Sequence, residues 1–180
     1  MPELPHIRER HIVCESRLFL IERLSLVFGN GATREYERLC QRHKGAVLIV
    51  PMLDDSTVLL IREYAAGIHS YTLGMPKGAI AQDESVIDAA NRELQEEIHY
   101  GAKQLDPLRC IATSAGYLQS EIQVVLARDL YPASLPGDEP EPLEVLPWSI
   151  NDIDSLLAHR EFREARDIAA LYLAKSFLKT

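Results

Sequence analysis

Three glutamates near the middle of the chain have the spacing that could hold a divalent cation. Glu93, Glu96 and Glu97 stand three and four residues apart, so a helix would place their carboxylates on one face. Carboxylates this close repel one another unless a cation neutralises them, and oxygen ligands at this density suit Mg²⁺ or Mn²⁺. On a helical wheel they continue the line of Val86 and Ala89, beside the apolar stripe rather than opposite it. The spacing alone still leaves open an ordinary solvated face of a charged helix.

The element that must position these glutamates is a helix predicted over residues 85–98. Its apolar residues advance by three, four and four positions, which is the period of a helix with one buried stripe. Asp83 and Ser85 supply signals for its start, and Gly101 lies just past its end. The predicted stripe consists of Ile87, Ala90, Leu94 and Ile98.

Strands are predicted on both sides of this helix. Residues 18–28 and 32–40 flank Asn30-Gly31, a pair typical of tight hairpins because both residues tolerate positive φ. The nearly all-apolar segment 46–52 predicts a strand in the centre of a sheet. Apolar periodicity predicts further strands at 57–61, 109–113 and 122–127.

The C-terminal third combines a loop with two helices. Five prolines and four acids between Pro132 and Pro147 predict an exposed, stiffened loop. Helices are predicted at 151–158 and 163–178, the second burying Ile168, Leu171, Tyr172 and Leu178. The order of elements predicts an α+β fold, an α/β/α sandwich with helices packed on mixed sheets.

Length and charge restrict the possible functions. The 180 residues suit one domain, and their net charge of −8 argues against a nonspecific nucleic-acid binder or an anionic-membrane binder. Much of the acid lies in two segments, since residues 78–101 carry a net −5 and residues 137–154 a net −6. A metal ion could still bring an anionic substrate to such a segment.

The chain shows no sign of export or membrane insertion. Its first residues are charged and lack the apolar run of a signal peptide, and the longest apolar stretch, 46–53, is too short to span a bilayer. Three widely spaced cysteines fit neither a zinc site nor a disulfide framework. We therefore expect a cytoplasmic protein.

The wider pattern around the three glutamates resembles the Nudix box, the signature of the Nudix hydrolase superfamily. Its fixed positions are filled, at the expected spacing, by Gly78, Glu84, Arg92, Glu93, Glu96 and Glu97. One position departs, because the glycine near the end of the box is His99. We expect Gly101 to end the helix instead. The resemblance implies a Nudix fold with a mixed central sheet over 45–180, preceded by an antiparallel hairpin region over 1–44 that forms a homodimer.

The resemblance also implies a role for each residue of the box. Glu93, Glu96 and Glu97 would bind the metal, and Glu97 would also be catalytic. Arg92 would orient the glutamates with Glu84 as its partner. Gly78 would permit the loop before the helix. The implied reaction is hydrolysis of a nucleoside-linked diphosphate, with Mg²⁺ or possibly Mn²⁺ as the cofactor.

Segments outside the box resemble the branch of the superfamily that hydrolyses ADP-containing compounds. Residues 59–67 are similar to its sheet-edge motif, so Arg62 would contact phosphate, and Lys77 is a second candidate for this contact. Residues 137–143 resemble its acidic loop, in which Glu139 is the better candidate for the catalytic base and Glu141 the second. Candidates for stacking on adenine, each also explicable by packing, are Tyr36, Phe28 and Tyr64.

These resemblances lead to one main hypothesis and two alternatives. The main one is Mg²⁺-dependent release of AMP from ADP-ribose, NADH or diadenosine polyphosphates. The Pro76-Lys77-Gly78 triplet and Thr72, which stands where the ADP-ribose branch has a glutamate, favour a dinucleoside polyphosphate hydrolase with little ADP-ribose activity. A catalytically silent domain that senses nucleotides is the third reading. The intact acids of the box argue against it.

Overall fold

The computed structural model describes residues 3–179, so the predicted outer bounds at residues 1 and 180 lie outside it. The described residues form ten strands and three helices, in three sheets. The strands are β1 (His6–Glu15), β2 (Leu20–Val27), β3 (Thr33–Leu39), β4 (Ala46–Pro51), β5 (Thr57–Ala65), β6 (Ser70–Gly74), β7 (Lys77–Ala79), β8 (Tyr100–Ala112), β9 (Glu121–Pro132) and β10 (Glu144–Ser149). The helices are α1 (Val86–Glu97), α2 (Ile153–Ala158) and α3 (Ala165–Phe177).

The N-terminal region is an antiparallel sheet in the order β1-β2-β3. The predicted hairpin is confirmed as β2 and β3, and Gly31 has a φ of 81° in the turn between them. Asn30 supports this turn because its side-chain oxygen accepts the Ala32 N–H at 3.0 Å. The first strand was not predicted because it is almost wholly exposed and lacks apolar alternation.

The centre of the molecule contains a mixed sheet in the order β7-β4-β9-β8 and an antiparallel sheet in the order β10-β5-β6. The β4–β9 pair is parallel. β4 and β5 are buried on both faces, which explains why their sequences are nearly continuous apolar runs. Alternate residues of β4 enter two different apolar clusters, Val47 and Ile49 on one side, Leu48 and Val50 on the other.

Helices cover both sides of these sheets. α1 packs in the cluster that contains Val47 and Ile49, through Ala90 and Leu94. Helices α2 and α3 pack in the opposite cluster, through Leu156 and the buried stripe of α3. The predicted α+β fold with helices on both faces of a mixed sheet is therefore confirmed. No helix within residues 3–179 is long and apolar enough to cross a membrane.

Several predicted boundaries were wrong. Strands β8 and β9 are much longer than predicted, and the short strands β6 and β7 were missed. The predicted loop at 132–147 ends in β10, which tolerates Pro147 because it lies at the edge of its sheet. The buried face of α3 was predicted correctly for Leu171, which is buried, and for Ile168, which is half-buried, but not for the other two residues. Tyr172 is 49% exposed and Leu178 37% exposed, because the helix packs through its smaller residues Ala170 and Ala174, which flank Leu171.

The end of α1 also differs from the prediction. His99 itself adopts the left-handed conformation with a φ of 60°, so it occupies the position that the Nudix box gives to glycine. Gly101 does not end the helix but belongs to β8. A side chain there would overlap the ring of Tyr131 on the paired strand β9, so this glycine is needed for packing.

Candidate active site

The glutamates of α1 lie at the boundary between the core and the solvent. The helix starts at Ser85, whose hydroxyl oxygen accepts the Asp88 N–H at 3.1 Å, and its apolar stripe sets its rotation. Glu93 and Glu97 are each 8% exposed, while Glu96 is half-buried. An ordinary solvated helix face would not bury two carboxylates. The face of α1 that carries Glu93 and Glu97 is therefore not an ordinary solvated surface.

Strand β7 closes over these carboxylates from the side of the sheet. A Cβ at Gly78 would overlap the carboxylate of Glu93, so only glycine allows this approach. Gly78 was predicted to permit a loop before the helix, but it lies within strand β7. Its role is to leave room for the carboxylate of Glu93. The neighbouring Lys77 N–H donates to Glu97 Oε2 at 3.0 Å. A segment that was not predicted as a strand thus positions both buried glutamates.

Arg92 connects the carboxylates of the site. Its Nε and Nη2 donate to the two oxygens of Glu84 at 2.8 and 3.0 Å, and its Nη1 donates to Glu93 and Glu96 at 2.7 and 2.8 Å. The guanidinium lowers the pKa of the Glu84 carboxyl, and this pairing in turn raises the pKa of Arg92. Nη2 also donates to Ala79 O at 3.0 Å, which joins α1 to β7.

Burial disfavours the ionised form of the two buried glutamates, and a bound cation would favour that form again. Burial raises the pKa of Glu97 to about 8, and it also raises the pKa of Glu93 even though Arg92 is beside it. Within residues 3–179, no group of three or more His, Cys, Asp or Glu side chains is arranged so that it could hold a metal ion. Arg92 holds Glu93 and Glu96, and the Lys77 amide holds Glu97. The donor set of buried carboxylate oxygens nevertheless fits a hard divalent cation.

The proline-rich loop is attached to the end of α1. Leu135 N–H donates to Gln95 O and Ala133 N–H to His99 O, each at 3.2 Å, and the His99 ring Nδ1 lies 3.0 Å from Ser134 Oγ. A Cβ at Gly137 would contact the Glu96 backbone at 3.4 Å. The acidic residues that follow Gly137 are therefore held beside the helix.

The two candidate base residues have different surroundings. Glu139 is surface-exposed, yet partial desolvation and the negative charges of Glu63 and Asp138 raise its pKa. Asp138 acts in the same direction on Glu93. Glu141 instead accepts a hydrogen bond from the Tyr71 hydroxyl at 2.7 Å. The loop thus places Glu139 near the Glu63–Lys77 pair and holds Glu141 against β6.

Arg62 is already paired with two carboxylates. Its Nε donates to Glu161 Oε2 at 2.9 Å, and its Nη1 pairs with Glu144. Successive residues of a strand point to opposite faces, so Arg62 points away from the face on which Glu63 meets Lys77. This geometry favours a role for Arg62 in joining β5 to β10 and to the α2–α3 connection.

Lys77 and Tyr64, by contrast, share a cavity next to the acidic site. The Lys77 ammonium pairs with Glu63, and Tyr64 donates to or accepts from His69 Nδ1 at 2.7 Å. The cavity has a volume of about 250 Å³. Its polar lining includes Glu63, Tyr64, Thr72, Lys77, Arg166 and Asp167.

The other two aromatic candidates lie elsewhere. Tyr36 and Phe28 line a separate cavity of about 640 Å³ between the N-terminal sheet and the β8–β9 connection. Tyr36 is 47% exposed. None of the α1 glutamates lines this cavity, so one copy of the chain does not bring Tyr36 to the acidic site.

The sequence analysis missed Glu63 and Asp138 as members of the site. The predicted strand stopped at residue 61, so the alternation that puts Glu63 on the α1 side was not extended to it. Asp138 had two sequence signals, its place in the acidic segment 137–154 and in the loop 137–143 that resembles the acidic loop of the family, but neither singled it out from Glu139 and Glu141. Its proximity to Glu93 depends on hydrogen bonds between the loop and the end of α1.

The buried Glu97 carboxyl predicts a pH-dependent stability in metal-free protein. The pKa of Glu97 is about 8 when folded, against an ordinary 4.5, so the folded state keeps a proton that the unfolded chain releases. The contribution of this carboxyl to the free energy of unfolding is therefore lost progressively as pH rises from about 4.5, and it is fully lost above about 8. Urea denaturation with EDTA should show Glu97→Gln more stable than wild type by roughly 3 kcal/mol at pH 8.5, and nearly equal at pH 5. A difference that is the same at both pH values would contradict this assignment.

Comparison with known proteins agrees with the site. Residues 42–171 match the family model "NUDIX domain", and residues 5–38 match the "NudE-type Nudix hydrolase N-terminal domain". The chain is 46% identical to Escherichia coli (strain K12) ADP compounds hydrolase NudE, over 97% of this chain and 94% of that protein. It is 27% identical to Bacillus subtilis (strain 168) ADP-ribose pyrophosphatase, over 84% of this chain and 80% of that protein.

A solved structure supports the same relationship. The crystal structure of an ADP compounds hydrolase superposes with a TM-score of 0.92 at 45% identity, covering 99% of this chain and 96% of that one. This agreement confirms the predicted fold over nearly the full length. The chain belongs to the Nudix hydrolase family, as the spacing of its glycine, arginine and glutamates predicted.

Proposed function

We propose that this protein is a metal-dependent pyrophosphohydrolase of ADP-containing compounds and releases AMP. The observation that carries the proposal is that the acidic loop lies beside the buried glutamates of α1, since the charge of Asp138 acts on Glu93, and Glu139 faces the Glu63–Lys77 pair next to Glu97. The names of the two relatives, an ADP compounds hydrolase and an ADP-ribose pyrophosphatase, support the substrate class. ADP-ribose, NADH and diadenosine polyphosphates are the proposed substrates.

Mg²⁺ is the proposed cofactor, with Mn²⁺ as a substitute. Glu93, Glu96 and Glu97 would hold it through their carboxylate oxygens, once Glu93 and Glu96 are released from Arg92. When bound, the cation neutralises the diphosphate and lowers the pKa of the attacking water. Arg92 would remain paired with Glu84 and would keep the glutamates oriented.

The remaining residues supply proton transfer and binding. Glu139 would accept the proton of the water as the water oxygen attacks phosphorus, and its raised pKa makes it a stronger base than an ordinary carboxylate. Glu141, paired with Tyr71, is the second choice. Lys77 would contact a phosphate oxygen and Tyr64 the substrate beside it, since both line the adjacent cavity. The ion pairs of Arg62 make it the weaker phosphate ligand of the proposed set.

The protein is also proposed to act as a cytoplasmic homodimer that contacts neither nucleic acid nor membrane. The N-terminal region, residues 1–44, would form the dimer, because it exposes Ile12 on β1 and Leu18 and Phe19 in the connection between β1 and β2. Tyr36 would reach adenine only in such an assembly. Free thiols at all three cysteines suit a reducing compartment. Sedimentation of the full chain as a monomer would contradict the dimer.

Hydrolysis of ADP-ribose, NADH and diadenosine triphosphate in ¹⁸O-labelled water tests the proposed activity. We expect Mg²⁺-dependent release of AMP from all three compounds, and the labelled product identifies the phosphorus that is attacked. Turnover of diadenosine triphosphate with little turnover of ADP-ribose would favour the dinucleoside polyphosphate alternative. Binding without hydrolysis of any of them would favour the silent domain.

A further inference from the structure

Asp167 of α3 is a buried carboxylate without a role in the proposed reaction. It is 1% exposed and lies on the stripe through which α3 packs into the core, next to Ala170 and Leu171. A carboxylate in such a place costs free energy compared with an apolar residue of similar size, unless specific contacts compensate. Burial raises the pKa of Asp167 to about 6, so the group is still largely ionised at neutral pH.

The contacts of Asp167 are made to the short connection between β6 and β7. Its Oδ1 accepts the N–H of Met75, a fully buried residue, at 3.0 Å. The carboxylate also lies against the backbone of Gly74, where an added Cβ would come within 3.1 Å of Oδ2. The C-terminal helix therefore anchors both residues at the point where the chain leaves β6.

This connection leads directly to the hydrogen bond that holds Glu97. Only Met75 and Pro76 separate β6 from β7, and β7 begins with Lys77, whose N–H donates to Glu97 Oε2 at 3.0 Å. Pro76 O accepts the Ile49 N–H from β4 at 2.8 Å, so the connection is fixed from the opposite side too. A shift of Met75 cannot be absorbed over so few residues and would move the Lys77 amide.

We infer that Asp167 is a positioning residue, which through Met75 places the Lys77 amide and so sets the orientation of the Glu97 carboxylate. The inference rests on the proposed function, because it assigns Glu97 to the reaction. Asp167 borders the cavity of Lys77 and Tyr64 but is only 1% exposed, so we expect it to act through Glu97 and its loss to change kcat more than KM. The position requires only an oxygen that accepts the Met75 N–H, so we expect asparagine at position 167 to preserve the function of aspartate.

Kinetics of two variants of the full chain separate this role from simple stability. Asp167→Ala leaves the Met75 N–H without an acceptor, and we expect kcat for ADP-ribose to fall about tenfold or more while KM stays within about threefold. Asp167→Asn keeps Oδ1 and should retain kcat within about threefold. Leu156→Ala is the control, since it also opens a core cavity but lies in α2, and its kcat should remain near wild type.

Amide hydrogen exchange in metal-free protein gives a readout that does not depend on activity. We expect exchange at Met75 and Lys77 to become about tenfold faster in Asp167→Ala but to stay near wild type in Asp167→Asn and Leu156→Ala. Unchanged exchange at Lys77 in Asp167→Ala would overturn the inference, and so would an equal loss of kcat in Leu156→Ala. If wild type hydrolyses no ADP compound, the proposed function fails while the exchange measurement still tests the link.

Gly74→Ala tests the same contact from the strand, and it remains informative if Asp167→Ala does not fold. Its Cβ would push the carboxylate of Asp167 by a few tenths of an ångström, away from Met75. The expected pattern is the same, with lower kcat, nearly constant KM and faster exchange at Lys77. Full kcat with wild-type exchange in a folded Gly74→Ala protein would contradict the role of Asp167.

Discussion

Replacing Glu97 with Gln should lower kcat for ADP-ribose about 10³-fold while the protein stays folded. The amide keeps the shape of the side chain and can still accept the Lys77 N–H, but it removes a negative charge from the proposed metal site. Loss of a ligand charge weakens the binding of a hard cation and with it the stabilisation of the diphosphate. Initial rates at saturating Mg²⁺, with circular dichroism as the check on folding, measure this effect.

Asp88→Asn is the matched control for this substitution. It removes one carboxylate from the same helix, but Asp88 is exposed and bonds the Ser85 hydroxyl at the helix start rather than any group of the site. Its kcat should stay within about threefold of wild type. Near-normal turnover by a folded Glu97→Gln protein would remove Glu97 from the proposed metal ligands.

Glu139→Gln should reduce kcat roughly 10²-fold or more, with little change in stability. Glutamine cannot accept the proton of the attacking water, and because Glu139 is exposed its replacement leaves the core intact. Because the pKa of Glu139 is raised, this carboxyl becomes protonated as the pH falls, and we expect wild type to lose activity there. The pH–rate profile should lose that acid limb in the variant.

Glu141→Gln provides the comparison within the same loop. Because the Tyr71 hydroxyl already donates to Glu141, the amide oxygen can accept the same hydrogen bond and kcat should change only slightly. If Glu141→Gln instead loses the activity and Glu139→Gln retains it, the base is Glu141. Equal, small effects of both substitutions would assign the base to a glutamate of α1.

The helix period was sufficient to predict which face of α1 carries the site. The apolar stripe fixes the rotation of the helix, and that rotation then determines where Glu93 and Glu97 lie. The spacing from Gly78 to Glu97 also predicted the family, but it did not explain why position 78 must be glycine. That reason is the carboxylate of Glu93, which packs against β7, and β7 was not predicted.

The parts of the site that could not be predicted depend on contacts between distant segments. Asp138 approaches Glu93 because the loop before it bonds the end of α1, and local sequence does not encode such bonds. Asp167 left a weaker signal. It stands four residues before Leu171, hence on the buried side of α3, but the prediction assigned only apolar and aromatic residues to that side.

The pairing of the strands also has a consequence for the order in which the chain folds. Strands β1, β2 and β3 pair with their neighbours in sequence, apart from one bridge between Leu39 at the end of β3 and Leu118. Most of this sheet therefore needs only short loop closures and can form early. β4, in contrast, pairs in parallel with β9, and everything from β5 to β8 lies between them. We therefore expect the N-terminal sheet to form on the nascent chain before β9 has been synthesised and can pair with β4. Until then β4, an apolar strand with both faces unburied, is the segment most exposed to aggregation during synthesis.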